Sequence, residues 1–301
     1  MSAGWAEQKE RGGRLALHSI LWIALHLGRS AARALLYPIV LYFLVKAKPQ
    51  RRASRRFLMR VLARPAGLAQ VARHIHCFSA TILDRVYLLA GRQAELDVHL
   101  HGSHLVTDRV ASGEGFLLLG SHLGSFDILR ALAVEQEHIP LKILMHPGHN
   151  RVITALLDTL NPRIADTVIP LGTATTLLAV KEALDAGQVV GLLGDRLAPG
   201  EPAVLCRFLG HDAPLPTGPL SLAAVTGVPV VLFFGLYRGG NRYDIYFELF
   251  ADRVTVAGRQ RGAALRGWVE RYAACLEHYA RMAPYNWFNF YDFWNELDGR
   301  R

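Results

Sequence analysis

Two residues of types suited to acid–base chemistry lie close together after a buried apolar run. Phe116 to Leu119 has the composition of a buried strand, and Ile128 to Val134 has the composition and spacing of a helix packed on it. The turn between them holds one imidazole, His122, and one carboxylate, Asp127. A strand followed by such a turn places the imidazole at the carboxyl end of a sheet, where open α/β folds bind ligands.

The spacing of this pair restricts how it can meet. Five positions apart on one helix, His122 and Asp127 would point about 140° apart. They can meet if His122 lies in the loop and Asp127 in the first helical turn, with Gly124 letting the backbone fold back and Ser125 available as the helix cap. A carboxylate on one ring nitrogen then fixes the tautomer, and the other nitrogen can take a proton from a hydroxyl.

Two other interpretations of the same residues stay open. A histidine near a strand end can be a satisfied structural residue, and an Asp in a first helical turn is expected from capping and the helix dipole alone. Ser121 and Ser125 suggest a serine nucleophile, but in the segment from Gly120 to Gly124 a histidine stands where a Gly-x-Ser-x-Gly elbow needs serine. A serine hydrolase is therefore disfavoured.

The charge distribution indicates a membrane surface as the partner. The net charge is +9, yet residues 11–83 contain thirteen Lys and Arg and no Asp or Glu. Nucleic-acid-binding proteins usually carry their basic patch on the folded body beside aromatic residues. Here the basic residues flank an apolar segment, which favours an anionic membrane surface and argues against a nucleic-acid partner.

The N-terminal segment predicts an amphipathic helix. Leu15 to Val45 is broadly apolar but is interrupted by Arg29, Arg33 and Pro38, so its charge-free runs are shorter than the roughly 20 residues of a membrane span. A narrow polar stripe follows one side of this helix: Arg11, His18, Trp22, His26, Arg29 and Arg33. Such a helix lies in the membrane interface or tilts in with its arginines snorkelling, and the alternative is a buried helix of the globular body.

Alternation of apolar runs and helical patterns predicts the fold class and the domains. Strands are expected at 141–145, 167–171, 188–193 and 228–236, a strand-rich start at 94–105, and helices at 49–91, 152–160 and 173–186. This order predicts an α/β fold with a mixed, mostly parallel sheet flanked by helices. We expect residues 1–48 to form a membrane-associated segment and residues 49–301 to form the catalytic domain.

A second candidate site follows the strand at 188–193. Gly194-Asp195-Arg196 emerges at the expected carboxyl edge of the sheet. The planar guanidinium of Arg196 could hold a phosphate or a developing oxyanion, and the alternative is an Asp–Arg pair that closes a turn.

The cysteines and histidines predict no metal site. Cys77, Cys206 and Cys275 are scattered and odd in number, which favours a reducing, cytoplasmic compartment. The cluster His74-Ile75-His76-Cys77 has no second ligand pair at a suitable spacing.

Taken together, these motifs resemble a known family. His122-x-x-x-x-Asp127 after an apolar strand is similar to the HX4D signature of the lysophospholipid acyltransferase superfamily, and the wider context resembles its bacterial lipid A biosynthesis acyltransferase branch. The segments 206–219 and 222–231 resemble later blocks of that branch, in family order.

This resemblance implies an O-acyltransferase at the cytoplasmic face of the bacterial inner membrane. It implies transfer of a fatty acyl chain from a phosphopantetheine thioester, on acyl carrier protein or coenzyme A, to a hydroxyl of a lipid or glycolipid, with no metal or other cofactor. His122 would be the general base and Asp127 would orient it. The residues expected to contact substrate, or to offer main-chain donors to the oxyanion, are Ser121, Gly124, Ser125, His146, Asp195 and Arg196.

Two departures from the family pattern concern basic residues. His146 stands where lipid A enzymes typically show arginine, and the aromatic tail from Tyr285 to Trp294 lacks the family's histidine-arginine-arginine. A less phosphorylated lipid or glycolipid acceptor is therefore plausible. The aromatic tail itself either packs on the domain or lies at a membrane interface.

Two other functions remain as alternatives. One is an acyl-thioesterase or lipid hydrolase with water as the acceptor, and the other is a non-catalytic accessory protein that binds lipid in an acyl pocket.

Overall fold

The computed structural model describes residues 14–128, 139–145, 167–198, 200–256 and 261–295. The described strands are β1 (Asp97–His101), β2 (Phe116–Gly120), β3 (Leu141–Met145), β4 (Val168–Pro170), β5 (Val189–Leu193), β6 (Ala203–Phe208), β7 (His211–Pro216), β8 (Val230–Gly239) and β9 (Arg242–Ala251). The described helices are α1 (Arg14–Ala34), α2 (Leu36–Lys46), α3 (Lys48–Val61), α4 (Leu68–Leu89), α5 (His104–Ala111), α6 (Thr176–Asp185), α7 (Gly218–Thr226) and α8 (Arg261–Met282).

Seven of these strands form one sheet in the order β1-β9-β8-β2-β5-β3-β4. Every neighbouring pair in it is parallel except β8 and β9, which are antiparallel. The predicted α/β fold with a mixed, mostly parallel sheet flanked by helices is confirmed. The hairpin of β6 and β7 lies outside this sheet.

The central strands form because their residues are apolar on both faces. All five residues of β2 are buried, as expected for a parallel strand covered on each side. Leu117 and Leu119 belong to one hydrophobic cluster and Phe116 and Leu118 to the other, since successive side chains of a strand point to opposite faces. The sheet therefore separates two cores.

The strands predicted at 141–145, 167–171, 188–193 and 228–236 correspond to β3, β4, β5 and β8. The helix predicted at 173–186 is α6, and Gly187 follows it with a φ of 72°. The helix predicted at 152–160 and most of the one at 128–134 lie outside the described residues.

The N-terminal helices pack on the body through α4. Arg29 of α1 donates two hydrogen bonds to the fully buried Asp84 of α4, at 2.8 and 2.9 Å. Tyr243 of β9 donates a third to the same carboxylate at 2.9 Å. Arg29 of the predicted polar stripe is therefore held by protein groups and does not snorkel toward lipid.

Within the described residues, no single helix has the length and apolar composition needed to cross a bilayer. The pair Leu21–Ala34 and Leu36–Lys46, bent by 57°, meets those requirements together, by length and composition only.

Candidate functional site

His122 lies in the loop directly after β2, at the carboxyl edge of the sheet, as the sequence predicts. Its side chain is 26% exposed, so the ring is partly accessible to solvent. Its main-chain carbonyl accepts a hydrogen bond from the Phe288 N–H at 2.8 Å. The histidine is therefore fixed at its backbone and open at part of its ring.

The carboxylate that contacts the His122 ring belongs to Asp195, in the loop after β5. His122 Nδ1 lies 2.8 Å from Asp195 Oδ1, and the His122 main-chain N–H donates to the same oxygen at 3.0 Å. The other carboxylate oxygen accepts from Trp287 Nε1 and from Asn289 Nδ2, both at 2.9 Å. A carboxylate with no exposed surface is stable there because both of its oxygens are hydrogen-bonded.

The ionisation of Asp195 determines the tautomer of His122. Burial by itself raises the pKa of the Asp195 carboxyl, but the charge of His122, its hydrogen bonds and the charge of Arg196 outweigh burial and lower that pKa to about 2. An ionised carboxylate only accepts hydrogen bonds, so His122 Nδ1 must carry the proton. In the neutral ring, Nε2 is then the unprotonated nitrogen, which is the nitrogen that acts when histidine serves as a general base.

The orienting role predicted for Asp127 is corrected by this geometry. Asp127 does lie in the helical turn that begins at Phe126. Its carboxylate, however, pairs with Arg85 of α4, with 3.0 Å between Arg85 Nε and Asp127 Oδ1. The acid that holds the Nδ1 side of His122 is Asp195, which was predicted only as a substrate-binding residue.

Strand order explains why Asp195 takes this position. β2 and β5 are parallel neighbours, and Gly120 pairs with Leu193 in their register. His122 lies two residues beyond the end of β2, and Asp195 lies two residues beyond the end of β5. The two loops therefore lie side by side. Sequence alone gives the two strand ends but not their adjacency.

The turn from Ser121 to Ser125 is tightly constrained. Gly124 has a φ of +79°, and a Cβ built on it would lie 1.9 Å from the main-chain oxygen of Gly235. Only glycine fits at this crossing of the turn over β8. Ser121 and Ser125 are both buried.

The main-chain donors of the turn are already in use. The N–H groups of His122, Leu123, Gly124 and Ser125 donate to Asp195, the Ser121 hydroxyl, Asn286 and Gly235, respectively. Each of these four N–H groups therefore has a protein acceptor, and the binding of a developing oxyanion by the turn amides stays a prediction.

The remaining predicted site residues are Arg196 and His146. Arg196 Nε donates to Asn289 Oδ1 at 2.7 Å, and its Nη2 donates to the Phe288 carbonyl at 3.1 Å. These bonds tie the loop after β5 to the C-terminal segment beside Asp195. His146 lies outside the described residues.

The C-terminal segment supplies site residues that sequence reasoning missed. Trp287 and Asn289 hold Asp195, whereas the sequence of the aromatic tail predicts only packing on the domain or a position at a membrane interface. Its packing on the domain is confirmed, since Trp287, Phe288, Tyr291 and Phe293 are buried. The sequence feature that could have indicated a role in the site is the asparagine placed between the aromatic residues of this tail.

His74 of the sequence cluster at 74–77 supports this segment from behind. Its Nε2 donates to the Trp287 carbonyl at 2.9 Å, and its Nδ1 accepts from the Ser54 hydroxyl at 2.8 Å. Burial lowers the pKa of His74 to about 4, so the ring stays neutral at pH 7. In the described part of the chain, no three His, Cys, Asp or Glu side chains are grouped so that they could hold a metal ion.

Comparison with known proteins identifies the family. A model of the bacterial lipid A biosynthesis acyltransferase family matches residues 13–294 of the chain, which includes β2, β5 and the C-terminal segment. No curated protein matches the chain.

Proposed function

Because the chain belongs to the bacterial lipid A biosynthesis acyltransferase family, we propose that it moves a fatty acyl chain from a thioester donor to a hydroxyl of a membrane lipid or glycolipid. The donor is acyl carrier protein or coenzyme A, and the reaction takes place at the cytoplasmic face of the inner membrane. The observation that supports the chemistry is the 2.8 Å contact between His122 Nδ1 and the buried Asp195.

The proposed reaction begins with proton removal by His122. Nε2 takes the proton of the acceptor hydroxyl while the hydroxyl oxygen attacks the thioester carbonyl carbon. The resulting imidazolium is stabilised by the ionised Asp195 at Nδ1. When the tetrahedral intermediate collapses, the carbon–sulfur bond breaks and the thiolate takes the proton back from Nε2.

Asp195 suits this role better than Asp127 on electrostatic grounds. Its carboxylate has no exposed surface, so its attraction for a charged imidazole is screened less than that of a solvated acid. Its other partners, Trp287 and Asn289, are neutral donors that hold its position without cancelling its charge. Asp127, by contrast, is neutralised by Arg85.

Arg196 is the predicted oxyanion donor that carries a full positive charge. Its guanidinium lies on the loop that carries Asp195, and its charge contributes to the low pKa of that carboxyl. A cation held there by Asn289 would stabilise negative charge on the thioester oxygen.

Replacing His122 tests this proposal. With purified protein, an acyl-thioester donor and bacterial lipid extract, mass spectrometry should show one lipid class gaining one acyl group. His122→Ala should lower that rate by about 10²–10⁴-fold, the usual contribution of a general base. His211→Ala, which removes an exposed histidine of β7, should leave the rate unchanged.

Two results would contradict the proposal. Full turnover by His122→Ala would remove the base from the mechanism. Release of free fatty acid at the same rate with and without a lipid acceptor would indicate a hydrolase instead.

A further inference from the structure

A pocket lies at the same edge of the sheet as His122. It is a pocket of about 280 Å³ between α1, α4, the end of β8 and the segment that follows α8. Its lining residues are Arg33, Arg73, His76, Cys77, Tyr237, Arg238, Gly239, Gly240 and Met282 to Asn286. Pockets for drug-sized molecules occupy about 300–1,000 Å³, so this one suits a small group or one part of a larger ligand.

The charge of this pocket is positive. Three guanidinium groups line it, from Arg33, Arg73 and Arg238, and none of its described lining residues is an Asp or Glu. The fourth ionisable nitrogen group is His76, whose pKa is lowered by burial and then by the charge of Arg33. A cluster of arginines without a carboxylate in the wall favours an anion.

The arginines of this pocket differ in how far protein groups already use them. Arg33 donates through Nη2 to the Tyr237 hydroxyl at 2.7 Å, and its buried Nη1 lies 4.0 Å from Asp84 Oδ2. The Arg73 guanidinium lies over the Tyr285 ring, 4.3 Å from the ring centroid. Stacking of this kind leaves the N–H groups at the edge of the guanidinium available for a planar acceptor.

The carboxylates behind the pocket do not neutralise it. Asp84 lies 4.0 Å from Arg33 Nη1 and is already bound by Arg29. Asp244 is shared by Arg238 and Arg242, at 2.8 and 3.1 Å. Each acid therefore serves two arginines, and positive charge remains in excess around the pocket.

An exposed apolar surface begins at the rim of the pocket. Tyr37 of α2 packs against His76 in the pocket wall, with 5.7 Å between ring centroids. Tyr37, Leu41 and Val45 follow one face of α2 and are 70%, 62% and 56% exposed. A charged pocket beside an exposed apolar helix face matches a molecule with an anionic head and hydrocarbon tails.

We propose that the pocket formed by Arg33, Arg73 and Arg238 binds the phosphate group of a membrane lipid, with the α2 face against the hydrocarbon of the same bilayer. Arginine edges match phosphate oxygens in geometry and charge. The sequence predicts that the basic residues of 11–83 meet an anionic surface, but not this pocket, because its three arginines come from α1, α4 and the end of β8.

The pocket is structurally joined to the His122 loop. Asn286 lines the pocket, and its main-chain oxygen accepts from the Gly124 N–H at 2.8 Å. A lipid held there would be near the edge where the proposed acyl transfer takes place. Binding at the pocket does not require that chemistry, so His122→Ala protein should bind the lipid as the unchanged protein does.

Vesicle binding by the full-length chain tests the proposal. The probes are phosphatidylcholine vesicles that contain either phosphatidic acid or phosphatidylserine, with the two fractions adjusted to give equal surface charge. We expect tighter binding to phosphatidic acid, whose phosphate is exposed. Arg73→Gln should weaken that binding about tenfold, since it removes one charged donor.

A matched control separates the pocket from general attraction to negative surfaces. Arg64→Gln removes the same charge from an exposed position between α3 and α4 and should reduce binding to both vesicle types slightly and equally. Thermal unfolding of each variant establishes that it is folded. Arg73 makes no described hydrogen bond or ion pair, so Arg73→Gln should fold as the unchanged protein does.

Three outcomes would overturn the proposal. One is equal binding to phosphatidic acid and phosphatidylserine. Another is an equal loss in Arg73→Gln and Arg64→Gln. The third is Arg73-dependent binding of inorganic phosphate without any preference for phosphatidic acid, which would assign the pocket to a free phosphate group.

Discussion

Two fully buried carboxylates in this protein are compensated in different ways. Asp84 binds Arg29 through two hydrogen bonds, and Arg33 lies 4.0 Å away. Asp195 meets one titratable imidazole and three neutral N–H donors. The first carboxylate joins α1 to α4, whereas the second holds a side chain that can gain and lose a proton.

The difference shows which buried charge is available for chemistry. A carboxylate paired with a permanently charged arginine is neutralised at every working pH, so it contributes to the packing of the fold. A carboxylate paired with a neutral imidazole keeps its charge available to stabilise the imidazolium that forms during proton transfer. We therefore expect mutation of Asp84 to lower the stability of the protein and mutation of Asp195 to lower the reaction rate.

The largest effect on stability is expected at Asp84. Asp84→Asn leaves Arg29 with a buried, unpaired charge and should lower the free energy of unfolding by about 3–5 kcal/mol. Urea unfolding measures this loss, and the rate per folded molecule should stay unchanged. Asp185→Asn, which breaks an exposed pair with Lys181, should cost no more than about 0.5 kcal/mol. Equal losses in the two variants would contradict the structural role of Asp84.

A second effect is a pH-dependent loss of stability at His74, which supports the segment that holds Asp195. The pKa of His74 is about 4 in the folded protein, against an ordinary value of 6.5, so the unfolded chain binds the proton more tightly. Stability from this residue is complete above about pH 6.5 and falls as the pH drops toward 4, by on the order of 3 kcal/mol.

His74→Gln should remove this slope, because an amide can bond to Ser54 and Trp287 but does not titrate in this range. Denaturant unfolding at a series of pH values measures it. Asp195, with its pKa lowered to about 2, loses its contribution only as the pH falls through the range between its ordinary value of 3.8 and 2. An unchanged slope in the variant would show that the buried His74 ring is not the source.

A smaller effect is expected at the turn beside His122. Gly124→Ala adds a Cβ at a φ of +79° and against the Gly235 oxygen, so it should lower the free energy of unfolding by more than the roughly 1–2 kcal/mol of the backbone conformation alone. Gly113→Ala is the matched control, because Gly113 has a φ of +70° with nothing within 4 Å. A loss in Gly124→Ala no greater than in Gly113→Ala would indicate that the crossing over β8 is loose.

The elements that sequence predicts well are those decided by local composition. β2, β3 and β5 are short apolar runs, and their ends are predicted to within a residue. The positions of His122 and Asp195 at strand ends follow directly. β9 and the hairpin of β6 and β7 were missed because their residues mix apolar and charged types without a clean alternation.

The pairing inside the site was not accessible from sequence. The partner of His122 depends on β2 and β5 being neighbours, and sequence order does not give strand order. The supports from Trp287 and Asn289 come from a segment about 90 residues farther along the chain. Asp127 is the carboxylate near His122 in sequence, but its helix turns it toward Arg85.

The measurement that tests the account most directly compares two isosteric changes. Asp195→Asn and Asp127→Asn each remove one carboxylate charge near the same loop, and kcat for lipid acylation is measured at saturating donor with the folded fraction checked by thermal unfolding. We expect Asp195→Asn to lower kcat at least about a hundredfold, and Asp127→Asn to change it no more than about threefold. A hundredfold loss in Asp127→Asn with activity retained in Asp195→Asn would contradict the assignment of Asp195 as the acid that orients His122.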